Sequence, residues 1–300
     1  LAVGVEGVGI AERAYQHALQ YALERKQGRS IWTGESNAPI FDHPDVRRTL
    51  SVMKARVEAA RAICLSTGVA ADLARHAATE EDRKRWKGRE DLFTPIAKAW
   101  STDVGCDVAS MGVQIHGGMG FIEETGAAQY YRDARIAPIY EGTNGIQAMD
   151  LVGRKLSMDG GDSAKALIGE MKATIAPLGK LYSGKPVERF TAAVEAVEDA
   201  TLWLLDRKAD KDAAADVLAG ADAYLKLLGD VVGGWMLAKG AIAARARLDA
   251  GDSDAAWLNG KIALYEVYAA NVLGHASSRL AAVGQGGDLL QRMSRDVLVA

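Results

Sequence analysis

The sequence predicts an all-α chain made of two consecutive helical bundles, and three observations carry that reading. Apolar residues recur at alternating spacings of three and four along most of the chain. Alternating strand patterns are almost absent. The connections between periodic runs are short, which favours antiparallel neighbours. With 300 residues, 49% hydrophobic and 25% charged, the composition is that of a globular protein large enough for two domains.

The first helix shows Ile10, Ala14, Ala18, Tyr21 and Ala22 on one face and ends near Arg25. Gln27 to Asp42 carries Gly, Pro, Asn and Ser and reads as a loop. Asp42-His43-Pro44 opens a long second helix marked by Val46, Leu50, Met53, Val57, Ala60, Cys64, Thr67, Ala71 and Ala74. The charged stretch Glu80 to Asp91 breaks the pattern and is expected to be a solvated connection. Ile96, Trp100, Val104, Val108, Met111 and Ile115 form a third helix that stops at Gly117-Gly118. Loop with a short helix follows to residue 143. A fourth helix then carries Ile146, Met149, Val152 and Leu156, and Asn144 with Gln147 resembles a capping box. Met158 to Asp162 is the best boundary, giving domains 1–157 and 158–300. The second domain is read as helices around Leu167, Phe190, Leu225 and Ile262.

Several function classes fall away at this level. A formal net charge of −3, balanced between the two halves, leaves no basic footprint for nucleic acid. No run of 18 apolar residues marks a membrane span. The 2 cysteines, Cys64 and Cys106, lie on apolar faces, which suits core packing and a reducing, cytoplasmic setting. The histidines lack metal-ligand spacings, and neither Gly4-Gly7-Gly9 nor Gly117-Gly118-Gly120 makes a dinucleotide fingerprint after a strand. Because the chain begins at Leu1 inside a helix, it is expected to be a fragment or a processed chain.

Residues 114–147 stand apart. Glycines there allow close backbone approach, and Glu141 follows the apolar run Ile136-Ala137-Pro138-Ile139-Tyr140 just before a helix start. Enclosure in an apolar pocket would raise the basicity of such a carboxylate and suit it to general-base work. The adjacent helix N-terminus would favour the anion instead. A solvent-facing residue ahead of a helix is the plain alternative.

Three motifs then agree in order: Tyr21-Ala22-Leu23-Glu24-Arg25-Lys26-Gln27, Gln114-Ile115-His116-Gly117-Gly118-Met119-Gly120-Phe121, and Tyr131-Arg132-Asp133-Ala134-Arg135 leading to Ile139-Tyr140-Glu141-Gly142-Thr143. Together they resemble the C-terminal helical domain of the acyl-CoA dehydrogenase family, over residues 1 to about 157. The extra helical domain beyond resembles the long bacterial branch, which includes 3-methylmercaptopropionyl-CoA dehydrogenases.

That resemblance implies FAD, an acyl-CoA substrate, and oxidation to the trans-2-enoyl-CoA, with electrons passed to electron-transfer flavoprotein. It implies that Glu141 takes the pro-R α-proton, that its main-chain N–H bonds the thioester carbonyl, and that Gly142 lines the substrate. Glu6, the one carboxylate early in the first helix, does not align with the base position that some members use there. Arg25, Lys26 and Gln27, with Gln114 and Gly118, match segments that reach the FAD of a neighbouring subunit, so a homodimer or a dimer of dimers is implied. Thr143 and Asn144 match residues that hold the dinucleotide of the same subunit. His43 receives only a weak cofactor role, because the loop before it is long and Gly28 follows Gln27 where a Phe is common. An acyl-CoA oxidase on the same scaffold is one alternative, and a non-catalytic assembly or DNA-binding relative is another. The 300 residues alone are expected to be inactive and to bind FAD poorly.

Overall fold

Alanine and glycine on one face of α1 (Ala2–Glu24) let it lie almost against the backbone of its neighbour, and that close contact sets the geometry of the first bundle. The computed structural model describes all 300 residues. Helix α2 (Pro44–His76) starts with Pro at its first position, where a missing N–H costs nothing. Helix α3 (Glu80–Pro95) corrects the expectation of a solvated connection. The Thr79 hydroxyl caps the Asp82 N–H, and Glu80, Glu81 and Asp82 complement the dipole of the first turn. Only Leu92, Phe93 and Pro95 of α3 are buried, so no apolar stripe announced it.

Pro95 has no N–H to return to the carbonyl four residues back. One π-helical turn follows, Ile96–Trp100, whose side chains are all buried, before the chain continues as α4 (Ser101–His116). Helices α1 and α4 meet at glycines. A Cβ on Gly7 would lie 2.9 Å from both the Ser101 carbonyl oxygen and the Thr102 Cα. Gly117, at φ +59°, ends α4 as expected from the sequence. The short α5 (Gly118–Phe121) and α6 (Ala127–Ala134) then lead to α7 (Asn144–Gly153).

The second half comprises α8 (Asp162–Leu181), α9 (Lys185–Ala209), α10 (Ala214–Ala219), α11 (Ala221–Asp249), α12 (Ala255–Asn271) and α13 (Ala276–Val283), followed by the short α14 (Gly287–Arg292) and α15 (Arg295–Val299). The helix expected around Ile262 is α12, and a 3-10 turn at Leu273–His275 separates it from α13. Helix α11 alone is long and apolar enough by length and composition to cross a membrane, although no continuous apolar run flagged it. It is the central element of the second half, with 67% of its most apolar window buried inside the protein.

There are no strands, only two isolated bridges in the loop after α1, so the all-α architecture holds. The apolar core runs without interruption across residues 158–162, from Val8 to Val283. The Trp100 indole donates to the buried Asp230 carboxylate of α11 at 2.9 Å, Arg279 donates to its other oxygen at 2.6 Å, and the Tyr268 hydroxyl donates to the Asp230 carbonyl. Gly233 makes room for this network, since a Cβ there would sit 2.6 Å from the Tyr268 hydroxyl. Both cysteines are buried and free, as their apolar positions predicted.

Candidate functional site

The residues singled out by sequence fall into two groups at opposite ends of α1. From Glu6 to Arg25, the residue that follows the helix, the separation at 1.5 Å rise per residue is about 28 Å.

At the far end, the Tyr21 ring of α1 packs 4.4 Å from the His116 ring of α4, which brings the end of α1 that leads into Arg25, Lys26 and Gln27 to the end of α4 that carries Gln114 and leads into Gly118. The His116 Nδ1 pairs with the Gly112 carbonyl at 2.7 Å, which fixes the ring below the Gly117 turn. Arg25 and Lys26 are exposed and make no ion pair within the chain, and Gln27 and Gln114 are exposed too. A Cβ on Gly118 would meet nothing within 4 Å, so the chain's own packing does not require glycine there. His43 binds the Gln27 carbonyl at 2.8 Å and seats the left-handed Gly28, which makes it a support for the loop rather than an open ligand.

At the near end, Glu141 has φ +52°, one of two non-glycine residues in the chain with positive φ, and Gly142 follows at φ +83°. A non-glycine residue in that region is strained and persists only where its surroundings over-determine it. The Glu141 side chain is exposed, so this chain by itself does not supply the apolar enclosure considered from sequence. The Glu141 N–H makes no hydrogen bond within the chain. The exposed Ile136, Ile139 and Ile146 lie in the segments on either side of it.

The start of α7 also differs from the expected capping box. Thr143, not Asn144, is the N-cap, and its hydroxyl accepts from the Ile146 N–H at 3.3 Å. Asn144 is turned inward. Its amide donates to the Asp103 carboxylate at 2.7 Å and the Ala99 carbonyl at 3.0 Å, and its oxygen accepts from Lys98 at 2.9 Å. The adjacent position lost the capping role because this network claims the Asn144 side chain. Gly145 N–H makes no hydrogen bond within the chain, and the first turn of α7 has no acidic residue.

Three participants were missed at the sequence level. Lys98, only 4% exposed, donates to the Gly142 carbonyl at 2.8 Å as well as to Asn144. Its burial lowers the ammonium's proton affinity, with Asp103 and Glu141 pulling the other way. Burial also pushes the Asp103 carboxyl up, against the hydrogen bond from Asn144. The third is the Tyr140 hydroxyl, which donates to the Glu6 carboxylate of α1; that bond pushes the phenol up to about 12. Nothing in the local sequence marks Lys98 or joins Glu6 to Tyr140, because both depend on how α1, α4 and the turn before α7 pack.

Comparison with known proteins bears on the family of the chain. A family model described as "Acyl-CoA dehydrogenase, C-terminal domain" matches residues 1–156. The chain belongs to the acyl-CoA dehydrogenase family. A second model of this family, "Acetyl-CoA dehydrogenase C-terminal like", matches residues 167–294. Among curated relatives, the chain is 45% identical over 293 residues to 3-methylmercaptopropionyl-CoA dehydrogenase from Ruegeria pomeroyi, covering 96% of this chain and 49% of that protein. It is 32% identical over 287 residues to a butyryl-CoA dehydrogenase from Syntrophomonas wolfei, covering 90% and 45%. It is 30% identical over 156 residues to caffeyl-CoA reductase-Etf complex subunit CarC from Acetobacterium woodii, covering 52% and 36%. The chain thus spans about half the length of the first two relatives. Among solved structures it resembles Caenorhabditis elegans ACDH-11 in complex with C11-CoA, with TM-score 0.68, 19% identity, and 90% and 42% coverage. It also resembles a Bacillus anthracis acyl-CoA dehydrogenase complexed with FAD, with TM-score 0.63, 20% identity, and 97% and 49% coverage. At those identities the likeness shows the acyl-CoA dehydrogenase fold alone.

The residues present fit a bound FAD in two respects. Arg25 and Lys26 are cations without partners in the chain, suited to a pyrophosphate. The N-terminus of α7 offers an unused N–H and no competing carboxylate.

Proposed function

We propose that this chain is the C-terminal half of an FAD-dependent acyl-CoA dehydrogenase in which Glu141 is the catalytic base. The observation that carries the reading is the left-handed Glu141, held at the head of α7 with its carboxylate exposed and its N–H free. Strain of this kind clusters where chemistry is done. The Glu141 carboxylate removes the α-proton of the CoA thioester. Its backbone N–H donates to the thioester carbonyl as negative charge develops there, in the manner of an oxyanion hole. Gly142, without a side chain, leaves room for the acyl group beside it. FAD, when bound, supplies the acceptor for the β-hydride, so that loss of proton and hydride gives the trans-2-enoyl-CoA. Thr143 caps α7, whose N-terminus would favour an anionic group of the cofactor.

Arg25, Lys26, Gln27, Gln114 and Gly118 serve a cofactor held by a second copy of the chain. The separation of about 28 Å along α1 supports this, because the base and the cation pair lie at opposite ends of one rod. At least a homodimer follows. The likeness to a subunit of a caffeyl-CoA reductase-Etf complex supports electron-transfer flavoprotein as the acceptor of the electrons, and 45% identity over nearly the whole chain to 3-methylmercaptopropionyl-CoA dehydrogenase favours a short, sulfur-bearing acyl group. The test is anaerobic titration of the full-length protein with short, medium and sulfur-bearing acyl-CoAs while flavin absorbance is followed. One class is expected to bleach the flavin, with slow return of colour in air. Fast return in air would make the protein an oxidase, and no bleaching by any thioester would remove the dehydrogenase reading.

A further inference from the structure

Lys98 is a buried ammonium with no carboxylate within ion-pair distance. Desolvating a cation is costly unless its donors are used. Here they go to neutral oxygens on either side of Thr143: the Gly142 carbonyl and the Asn144 carboxamide. Those residues come one and three positions after Glu141. On the other side, Tyr140 is tied through its hydroxyl to Glu6 on α1. Glu141 itself makes no hydrogen bond through N–H or side chain within the chain, yet it holds the strained conformation at φ +52°. What fixes it is therefore what fixes its neighbours. One anchor belongs to the π turn that follows Pro95, the other to α1, and these two elements are packed together through glycine.

We propose that Lys98 and the Glu6–Tyr140 pair are positioning residues, a two-sided clamp that holds Glu141 in its left-handed turn so that its carboxylate and N–H meet the substrate together. The proposal rests on Glu141 being the base. Lys98 does not touch the reacting atoms in this account. It fixes the Gly142–Thr143 peptide, which holds the turn next to Glu141, and misalignment of about 1 Å in such a site costs on the order of 100-fold in rate. Asp103 completes the clamp indirectly by anchoring Asn144 at 2.7 Å.

The experiment uses the full-length flavoenzyme with the best substrate of the titration above. Lys98→Met, Lys98→Arg, Tyr140→Phe and Glu141→Gln are compared, with Lys98→Met also combined with Glu141→Gln. The clamp is expected to lower kcat on the order of 10- to 100-fold in Lys98→Met at near-constant KM and FAD content. Lys98→Arg, which keeps charged donors, recovers part of the rate. Tyr140→Phe, which leaves the buried network untouched, loses several-fold in kcat by the same measure. Lys98→Met on the Glu141→Gln background loses nothing further, because residues acting as one unit are not additive. A Lys98→Met enzyme with unchanged kcat, one whose loss appears as lost FAD or raised KM, or full additivity would each overturn the clamp. Should Lys98→Met fail to fold, Tyr140→Phe decides, and an unchanged kcat there overturns it. If Glu141→Gln itself keeps the wild-type rate, the base assignment fails, and that result is distinct from all of these.

Discussion

Two glycines two residues apart on α1 should respond to the same substitution with opposite signs. A Cβ at Gly7 would stand 2.9 Å from the Thr102 Cα and from the Ser101 carbonyl oxygen, both of them backbone atoms of α4 that cannot rotate away. Carbon atoms in comfortable contact sit 3.5–4.0 Å apart, so Gly7→Ala must push α1 off α4 by about 0.6 Å or more. Overpacking of this kind costs roughly 1–3 kcal/mol, offset by about 0.5–1 kcal/mol because alanine is the better helix former. A Cβ at Gly9 meets nothing within 4 Å, so Gly9→Ala gains the propensity without the clash. At about 2.1 cal/mol/K per residue, a chain of this length loses roughly 1.6 °C in Tm per kcal/mol. Thermal unfolding should therefore place Gly7→Ala about 1–3 °C below wild type and Gly9→Ala about 1 °C above it. Gly7→Ala equal to or above Gly9→Ala would refute the claim that α1 and α4 are packed backbone to backbone. Because Gly7 neighbours Glu6, the displaced helix should also lower kcat in the full-length enzyme.

Asp230 joins the two halves, and its contribution depends on pH. Burial raises its carboxyl, against Arg279 and Trp100, so the native state keeps a proton above the ordinary carboxylate range and stability falls as pH rises through that window. Asp230→Asn leaves Arg279 without its counter-charge and should cost roughly 3 kcal/mol at pH 7. Because Asn cannot titrate, wild type should gain stability relative to Asp230→Asn on acidification; a difference that stays constant down to pH 4 in denaturant titrations would count against a raised Asp230 carboxyl. Thr143→Ala should lose about 1 kcal/mol through the α7 cap, measured the same way, whereas loss of Asn144 as the cap would have been the sequence expectation. Phe121→Ser, at a side chain 84% exposed, should change stability by less than about 0.5 kcal/mol, and a large loss would mean that residue is packed.

The sequence carried the fold where a helix buries one stripe and little else. Helices α1, α2 and α4 were legible from spacing for that reason, and the Gly117 stop from chemistry. Helix α3 was not, because its turns are charged on nearly every side, although the Thr79 cap three residues before Asp82 was a readable signal. The split between Thr143 and Asn144 could not be read locally, since both residues cap well and only Lys98 and Asp103, more than forty positions upstream, decide between them. Lys98 hid inside a wholly buried run because a π turn, not regular helical periodicity, sets its direction. Glu141 was found by motif, and its strained backbone came only from the structure.

The central claim is tested most directly by single-turnover mixing of FAD-loaded full-length wild type and Glu141→Gln with an acyl-CoA deuterated at the α-carbon. Wild type should bleach with a primary isotope effect, and the variant should hold its FAD yet fail to bleach. A Glu141→Gln protein that bleaches as fast as wild type would show that the α-proton leaves to another group.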